Sequence, residues 1–234
     1  MKLVRHLANL GYGSRKEVQK LLRLGVFSDA EGGLLADDAA IAHYNIRYKG
    51  RPLDPDFGVV LLLNKPVGYV CSLKDRGHLV YELLPPRFAL RKPVLSTIGR
   101  LDSDTSGLLL FTDDGDYLHK IISPKNHVAK IYEVTCARPI DPHYAGIFAS
   151  GTLVLDSEKD ALKPAFLEVT GEKTARLTLY EGRYHQVRRM FAAVGNHVEG
   201  LHRAQMGELT LGDLPLGKWR RLKPAERDGL LKMT

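Results

Sequence analysis

The stretch IGRLDSDTSGLLLFTDDGD (98–116) decides how the chain is laid out. A polar loop holding two acids, Asp102 and Asp104, runs into Gly107 and an apolar segment, which stops at Asp113-Asp114-Gly115. GLLLFT (107–112) reads as a strand, and the Asp-Asp-Gly triplet after it as a turn. The strand therefore carries a polar loop at its leading end, a common place for catalytic groups. The plain alternative is a turn in which Asp102, Ser103 and Asp104 bond their own backbone.

The same texture continues on both sides. VVLLLNKP (59–66) is an unbroken apolar run closed by Asn and Pro, as in a buried strand. KIYEVT (130–135), PAFLEVT (164–170) and TARLTLY (174–180) are further strands, several alternating with period two, and Glu181-Gly182 marks a turn. From Tyr184 to Val194 the spacing predicts a helix: Val187, Met190, Phe191 and Val194 share one face, and Gly195 ends it. His185, Arg188, Arg189 and Ala192 fall on the opposite face. Strands outnumber helices, so the expected class is α+β, with a mixed, largely antiparallel sheet and helices packed beside it.

RPLDPDFG (51–58), rich in Pro, Asp and Gly, reads as a joint. It divides the chain into residues 1–57 and 58–234. The first 25 residues hold six cations and only Glu17 as an acid, +5 of the chain's net +7. Leu3, Leu7 and Leu10 fit one face of a short helix ended by Gly11 and Gly13, and Ser14 with Glu17 forms a capping-box signature for a second. In that second helix Val18, Leu21 and Leu22 make the buried stripe, with Gly25 just past the end. Arg15, Lys16, Gln19, Lys20 and Arg23 share the other face. A solvated face usually mixes signs, because opposite charges one turn apart stabilise a helix. Four cations with no acid among them point instead to a polyanion such as RNA or DNA.

A pI near 9.3 agrees with a nucleic-acid partner. Cys71 and Cys136 lie far apart and show no metal-ligand spacing, which favours a reducing compartment over a disulfide scaffold. No run of eighteen apolar residues occurs, and the N-terminus lacks a signal-peptide pattern. The expected location is the cytoplasm, with no membrane association. For the D-x-D itself, a calcium loop would need more oxygen ligands than Leu108 to Leu110 can supply. A glycosidase carboxylate pair stays open, though nothing else indicates a sugar cleft. A Mg²⁺-dependent phosphotransferase would place its apolar strand before the first Asp, whereas here it follows.

Four segments, in order, carry a family resemblance. GRLDSDTSGLLLFTDDG (99–115) resembles the central motif of the ribosomal-RNA pseudouridine synthases, and LNKPVGYVCS (63–72) resembles their first motif. KIYEV (130–134) is similar to the segment with the active-site tyrosine, and EGRYHQVRRMFAAVGNHVEGLHR (181–203) to the closing motif. The resemblance extends across residues 60–234. EGRYHQVRRMFAAVGNHV and KPAFLEV most resemble the RsuA type, which acts on small-subunit rRNA. GYGSRKEVQKLLRLG (11–25) resembles the helix pair of the αL (S4-type) RNA-binding domain, over roughly residues 1–55. The acidic SDAEGGLLADDAA (28–40) departs from that domain's short turn.

The resemblance implies a fold and a chemistry. Residues 1–57 would be the αL domain and 58–234 the synthase domain. The reaction detaches uracil from C1′ of its ribose, turns it and rejoins it through C5, with no cofactor and no metal. Asp102 matches the essential carboxylate, Arg188 the basic residue that pairs with it, and Tyr132 the active-site tyrosine on which a flipped uridine stacks. Arg100 and Leu201 match substrate-contacting positions, and Ser14, Arg15, Lys16 and Arg23 the αL domain's RNA contacts; Lys20 joins them on the basic face. Asp104, Thr105 and Ser106 would fix the loop, Asn64 and Lys65 would be structural or RNA-contacting, and Arg189 is free to bind phosphate. His185 reads as a helix-start hydrogen-bonding residue rather than a base. The implied partner is ribosomal RNA, as a small-subunit assembly intermediate, with uridine 516 of 16S rRNA as target and 23S rRNA as the alternative. A monomer with no obligate protein partner is expected. Two readings from other classes are a non-catalytic RNA-binding assembly factor and the Mg²⁺ phosphotransferase.

Overall fold

The computed structural model describes residues 2–72, 76–123 and 128–232. At the N-terminal end, α1 (Leu3–Asn9) and α2 (Arg15–Arg23) pack on a small sheet of β1 (Phe27–Ser28), β2 (Arg47–Tyr48) and β3 (Arg51–Pro52). The start of α2 is fixed as its sequence requires: the Glu17 amide donates to Ser14 Oγ at 3.3 Å, and the Ser14 amide to Glu17 Oε2 at 2.7 Å. Leu3, Leu7, Val18, Leu22 and Phe27 close a hydrophobic cluster of their own, capped by Tyr12 and Tyr48. The acidic 28–40 stretch folds back onto this cluster. Leu35 and Ala39 pack against it, and the Gln19 side chain donates to Asp37 at 2.8 Å.

The larger part is built on β4 (Val60–Lys65), β7 (Ser96–Ile98), β8 (Thr105–Thr112), β9 (Lys130–Cys136), β10 (Phe166–Gly171), β11 (Thr174–Leu179), β12 (Val198–Met206), β13 (Leu209–Thr210) and β14 (Trp219–Arg221). β5 (Tyr69–Val70) and β6 (His78–Leu79) pair separately. The order across the main sheet is β10-β11-β9-β12-β8-β4-β14, with β13 on β12 and β7 on β8. Every recorded pairing in it is antiparallel except β12 with β8. This is the mixed, largely antiparallel sheet that the strand pattern predicts.

The unbroken apolar runs of β4 and β8 follow from burial on both faces. Leu61, Leu63, Leu109 and Phe111 enter one core with Val187, Met190 and Phe191 of α5 (Gln186–Ala193) and Phe148 of α4 (His143–Ala149). Val60, Leu62, Leu108 and Leu110 enter the other with Tyr117 and Ile121 of α3 (Gly115–Ile122) and Leu230 of α6 (Pro224–Lys232). None of the helices among the described residues is long and apolar enough to cross a membrane, and both cysteines are free and buried.

Two sequence expectations change here. Asp114 is not simply a turn residue: its carboxylate accepts the Tyr117 amide at 3.0 Å and caps α3. Asp113 is buried beside Arg91, with side-chain exposures of 2% and 1% and a 2.6 Å contact. Its other oxygen accepts the Gly58 and Val59 amides, while Arg91 also donates to the Pro55 and Asp56 carbonyls. The joint is thus riveted to the end of β8.

Candidate active site

The Asp102 loop joins β7 to β8, which pair as a hairpin with Ile98 opposite Leu110. Its backbone is held from beneath. Lys65 Nζ, fully buried, donates to the carbonyls of Asp102 at 3.0 Å, Thr105 at 2.8 Å and Pro66 at 3.1 Å. Burial pulls the Lys65 ammonium below its ordinary range, and the carboxylates of Asp102 and Asp104 work against that. Cys71 Sγ sits 3.2 Å from the Leu101 carbonyl and accepts the Leu101 amide at 3.4 Å, and the Gly68 amide donates to the Ser103 carbonyl at 2.7 Å. The loop tip is therefore rigid, and the Asp102 side chain, 33% exposed, faces a cleft of about 740 Å³.

Asp102, Arg100, Tyr132, Arg188 and Leu201 all line this one cleft, although they span a hundred positions of chain. The sheet register explains the convergence. β12 runs parallel to β8 with Leu201 opposite Thr105, and antiparallel to β9 with Arg203 opposite Tyr132. The close approach of β12 depends on Gly107, at φ +108, where a Cβ would lie 2.4 Å from the Arg203 carbonyl oxygen. Tyr132 and Leu201 are nearly buried, at 9% and 7% exposure, and give the cleft an aromatic and aliphatic floor. Arg100 is exposed at its rim.

The partner of Asp102 is not the one expected. Arg188 pairs with the Asp104 carboxylate at 2.9 Å and donates to the Val198 carbonyl at 2.7 Å. The group beside Asp102 is His185, with Nε2 3.3 Å from Oδ1. Helix α5 begins two residues later than the apolar spacing predicts, because His185 sits at φ 48, ψ 33, left-handed backbone rather than helix. That turn swings the imidazole toward the β7–β8 loop. Left-handed backbone at a non-glycine residue costs free energy and tends to persist where function requires it. Arg189 is not available for phosphate: it pairs with Glu158 at 2.9 Å and bonds the Asp156 and Tyr184 carbonyls.

Sequence reasoning missed two cations in the cleft. Arg203 is 1% exposed in the middle of β12 and donates from Nε to the Leu108 carbonyl at 2.7 Å. Lys130, at the start of β9, is pushed down to about 8 by burial, with the Arg203 charge adding to it. A lone arginine in a strand gives no local signal. A lysine two residues before the motif tyrosine lies on the same strand face as Tyr132, which was a usable one. Among the described residues, Arg188 Nε, Arg203 Nη2 and Thr105 Oγ1 are buried without a hydrogen-bond partner, and all three residues line the cleft. Buried donors rarely stay unpaired, so their concentration here suits a polar ligand. On α2, Arg15, Lys16, Lys20 and Arg23 are exposed, and none forms a salt bridge among the described residues.

A carboxylate on a clamped loop, an aromatic floor and a rim of cations suit a site that takes one base of a polyanion. The family model described as RNA pseudouridylate synthase matches residues 59–193, which hold the Asp102 loop, Tyr132 and Arg188, so the protein is a pseudouridine synthase, an isomerase. Ribosomal small subunit pseudouridine synthase A of Escherichia coli K12 is 47% identical over 191 residues, 80% of each chain. The Pasteurella multocida protein of the same name is 47% identical over 171 residues, 72% of each. The solved crystal structure of a pseudouridylate synthase is similar over 98% of this chain and 99% of its own, at 36% identity and a TM-score of 0.70. The chain belongs to the RsuA-type ribosomal small-subunit pseudouridine synthase family.

Proposed function

We propose that the protein isomerises one uridine of 16S rRNA, uridine 516, on a partly assembled small subunit in the cytoplasm, acting as a monomer. The relatives named for the small ribosomal subunit, at 45–47% identity, support the substrate class. The observation that carries the site is the gathering of Asp102, Arg100, Tyr132, Arg188 and Leu201 around one cleft. In this reading the target nucleotide leaves its stack and its base settles against Tyr132 and Leu201. Asp102 acts at the ribose or base as the N1–C1′ bond breaks. Uracil turns, C5 bonds to C1′, the C5 proton leaves and N1 gains one. Substrate and product are isomers, so the balance needs no redox partner. Arg100 engages the flanking phosphate. Arg188 orders Asp104 and, through it, the loop, while His185 is the side chain that meets Asp102.

Residues 1–57 form an αL (S4-type) RNA-binding domain in this reading, with Arg15, Lys16, Lys20 and Arg23 of α2 meeting phosphates, and residues 58–234 form the catalytic domain. Unmodified 16S and 23S RNA, free and as assembly intermediates, are incubated with protein and mapped by carbodiimide-dependent reverse-transcription stops. One new stop, at uridine 516 of 16S RNA, is expected. Stops on 23S RNA alone would remove the substrate assignment, and no stop on either would remove the function.

A further inference from the structure

Tyr184 is the most exposed large ring at the mouth of the cleft, 74% accessible, yet it is not loose. Its ring stacks on that of His185 with centroids 3.9 Å apart and planes 16° from parallel. The backbone beneath is tied down at several points. The Tyr184 carbonyl accepts Arg189 Nη1 at 3.2 Å, and the neighbouring Arg183 amide donates to Gln186 Oε1 at 2.9 Å. The Arg183 guanidinium in turn reaches the Asp160 carbonyl at 2.8 Å, the Ala161 carbonyl at 2.6 Å and Glu181 at 3.3 Å. One face of Tyr184 is thus occupied by the imidazole that touches Asp102, and the other is bare. An apolar ring held in place with a free face is costly to leave in water and is pre-organised for a flat partner.

We infer that the outer face of Tyr184 is a second nucleobase subsite, which stacks the base next to the target uridine. The inference rests on the reading that an extruded uridine enters the Asp102 cleft. The column His185, Tyr184 and base would stand beside the carboxylate rather than over it, because Asp102 meets the imidazole at its Nε2 edge at 3.3 Å. The target base descends toward Tyr132, and its neighbour is caught at the rim. Every base offers a π-face, so stacking here is tolerant of sequence and fixes the register of the strand instead. Removing Tyr184 should loosen grip and registration without touching the reacting groups.

The test uses a 16S RNA fragment whose modified uridine has been mapped with the wild-type protein. Fragments with an abasic nucleotide at the position before or after that uridine are titrated against wild type, Tyr184→Ala and Tyr184→Trp. In wild type one of the two abasic sites should weaken binding by about tenfold, the usual scale of one base–aromatic stack. Tyr184→Ala should bind the intact fragment about tenfold more weakly and then lose nothing further at that abasic site. Tyr184→Trp, which keeps a flat ring, should restore both affinity and penalty and so exclude misfolding as the cause. Equal abasic penalties in wild type and Tyr184→Ala would overturn the subsite while leaving the catalytic reading intact. If the wild type isomerises no uridine of 16S or 23S RNA, free or in assembly intermediates, no such fragment exists and both the subsite and the catalytic reading fall.

Discussion

Asp102 and Asp104 stand two residues apart on one loop and live in different surroundings, which makes them separable by experiment. Asp102 faces the cleft beside His185, whereas Asp104, 61% exposed, is held by Arg188 at 2.9 Å. Asp102→Asn keeps the shape and removes the charge, so single-turnover tritium release from C5-labelled uridine should fall by at least about 100-fold, with RNA affinity unchanged. Asp104→Asn frees Arg188 and loosens the loop, and should cost less; the reverse order would place the chemistry on the wrong carboxylate. Lys130 supplies a pH signature. Its folded value is about 8, while an unfolded lysine titrates near 10.4. Below pH 8 both states hold the proton, and the folded protein bears the full cost of a buried cation. Between about 8 and 10.4 the unfolded chain stays protonated while the folded one has released its proton, so stability rises with pH across that window. Lys130→Met should therefore be more stable than wild type at pH 7 by a margin that shrinks toward pH 10.4, read from urea midpoints at fixed ionic strength. A margin independent of pH would mean that the ammonium stays hydrated in the folded protein.

The one parallel pairing of the main sheet among the described residues, β8 with β12, brings Leu201 and Arg203 to the Asp102 loop, and it passes over Gly107. Any side chain there meets the Arg203 backbone, with a Cβ 2.4 Å from its oxygen and 2.7 Å from its nitrogen, at a φ that L residues avoid. Gly107→Ala should destabilise the fold by more than about 2 kcal/mol in chemical denaturation, and activity should fall with it, because the cleft floor shifts. A neutral substitution would show that the two strands can separate without harm. Legibility in the sequence follows the same physics. β4 and β8 could be read directly, since strands covered on both faces must be apolar throughout. The α2 cap could be read because both halves of the Ser14–Glu17 box lie within one turn. β12 was hidden: Gly200, His202, Arg203 and Gln205 break any alternation, because this central strand divides its side chains between the cores, which take Val198, Leu201 and Met206, and the polar surroundings of the site. Helix α3 was masked by the Asp-Asp-Gly signal, whose first acid answers to Arg91, 22 positions away. The family resemblance, carried over residue by residue, implied which residues meet at the cleft, but it missed that Arg188 takes Asp104 while His185, on left-handed backbone at the head of α5, takes Asp102.

At the scale of the whole molecule, charge and chemistry are kept in separate places. Most of the net +7 sits in the first 25 residues, while the reacting groups, drawn from residues 100–201, gather on the main sheet. The two regions are not loosely strung. Arg87 pairs with Asp54 at 2.7 Å, the Lys92 amide donates to the Asn9 carbonyl at 2.8 Å, and the buried Arg91–Asp113 pair pins the joint. RNA gripped at α2 would thus be presented to the cleft at a set distance instead of by a flexible tether. Arg15, Lys16, Lys20 and Arg23 are exposed and unpaired among the described residues, so changing all four to Gln should leave the fold intact. If each meets one phosphate, the slope of log K against log salt should shrink by about 3, from a loss of roughly 0.7 to 0.9 per contact. Affinity at low salt should fall sharply, yet the single-turnover rate at saturating RNA should hold, because no group in the cleft has changed. An unaltered salt slope would remove α2 as the anchor, and a collapse of the saturated rate would mean that the basic helix positions the uridine as well as holding the strand.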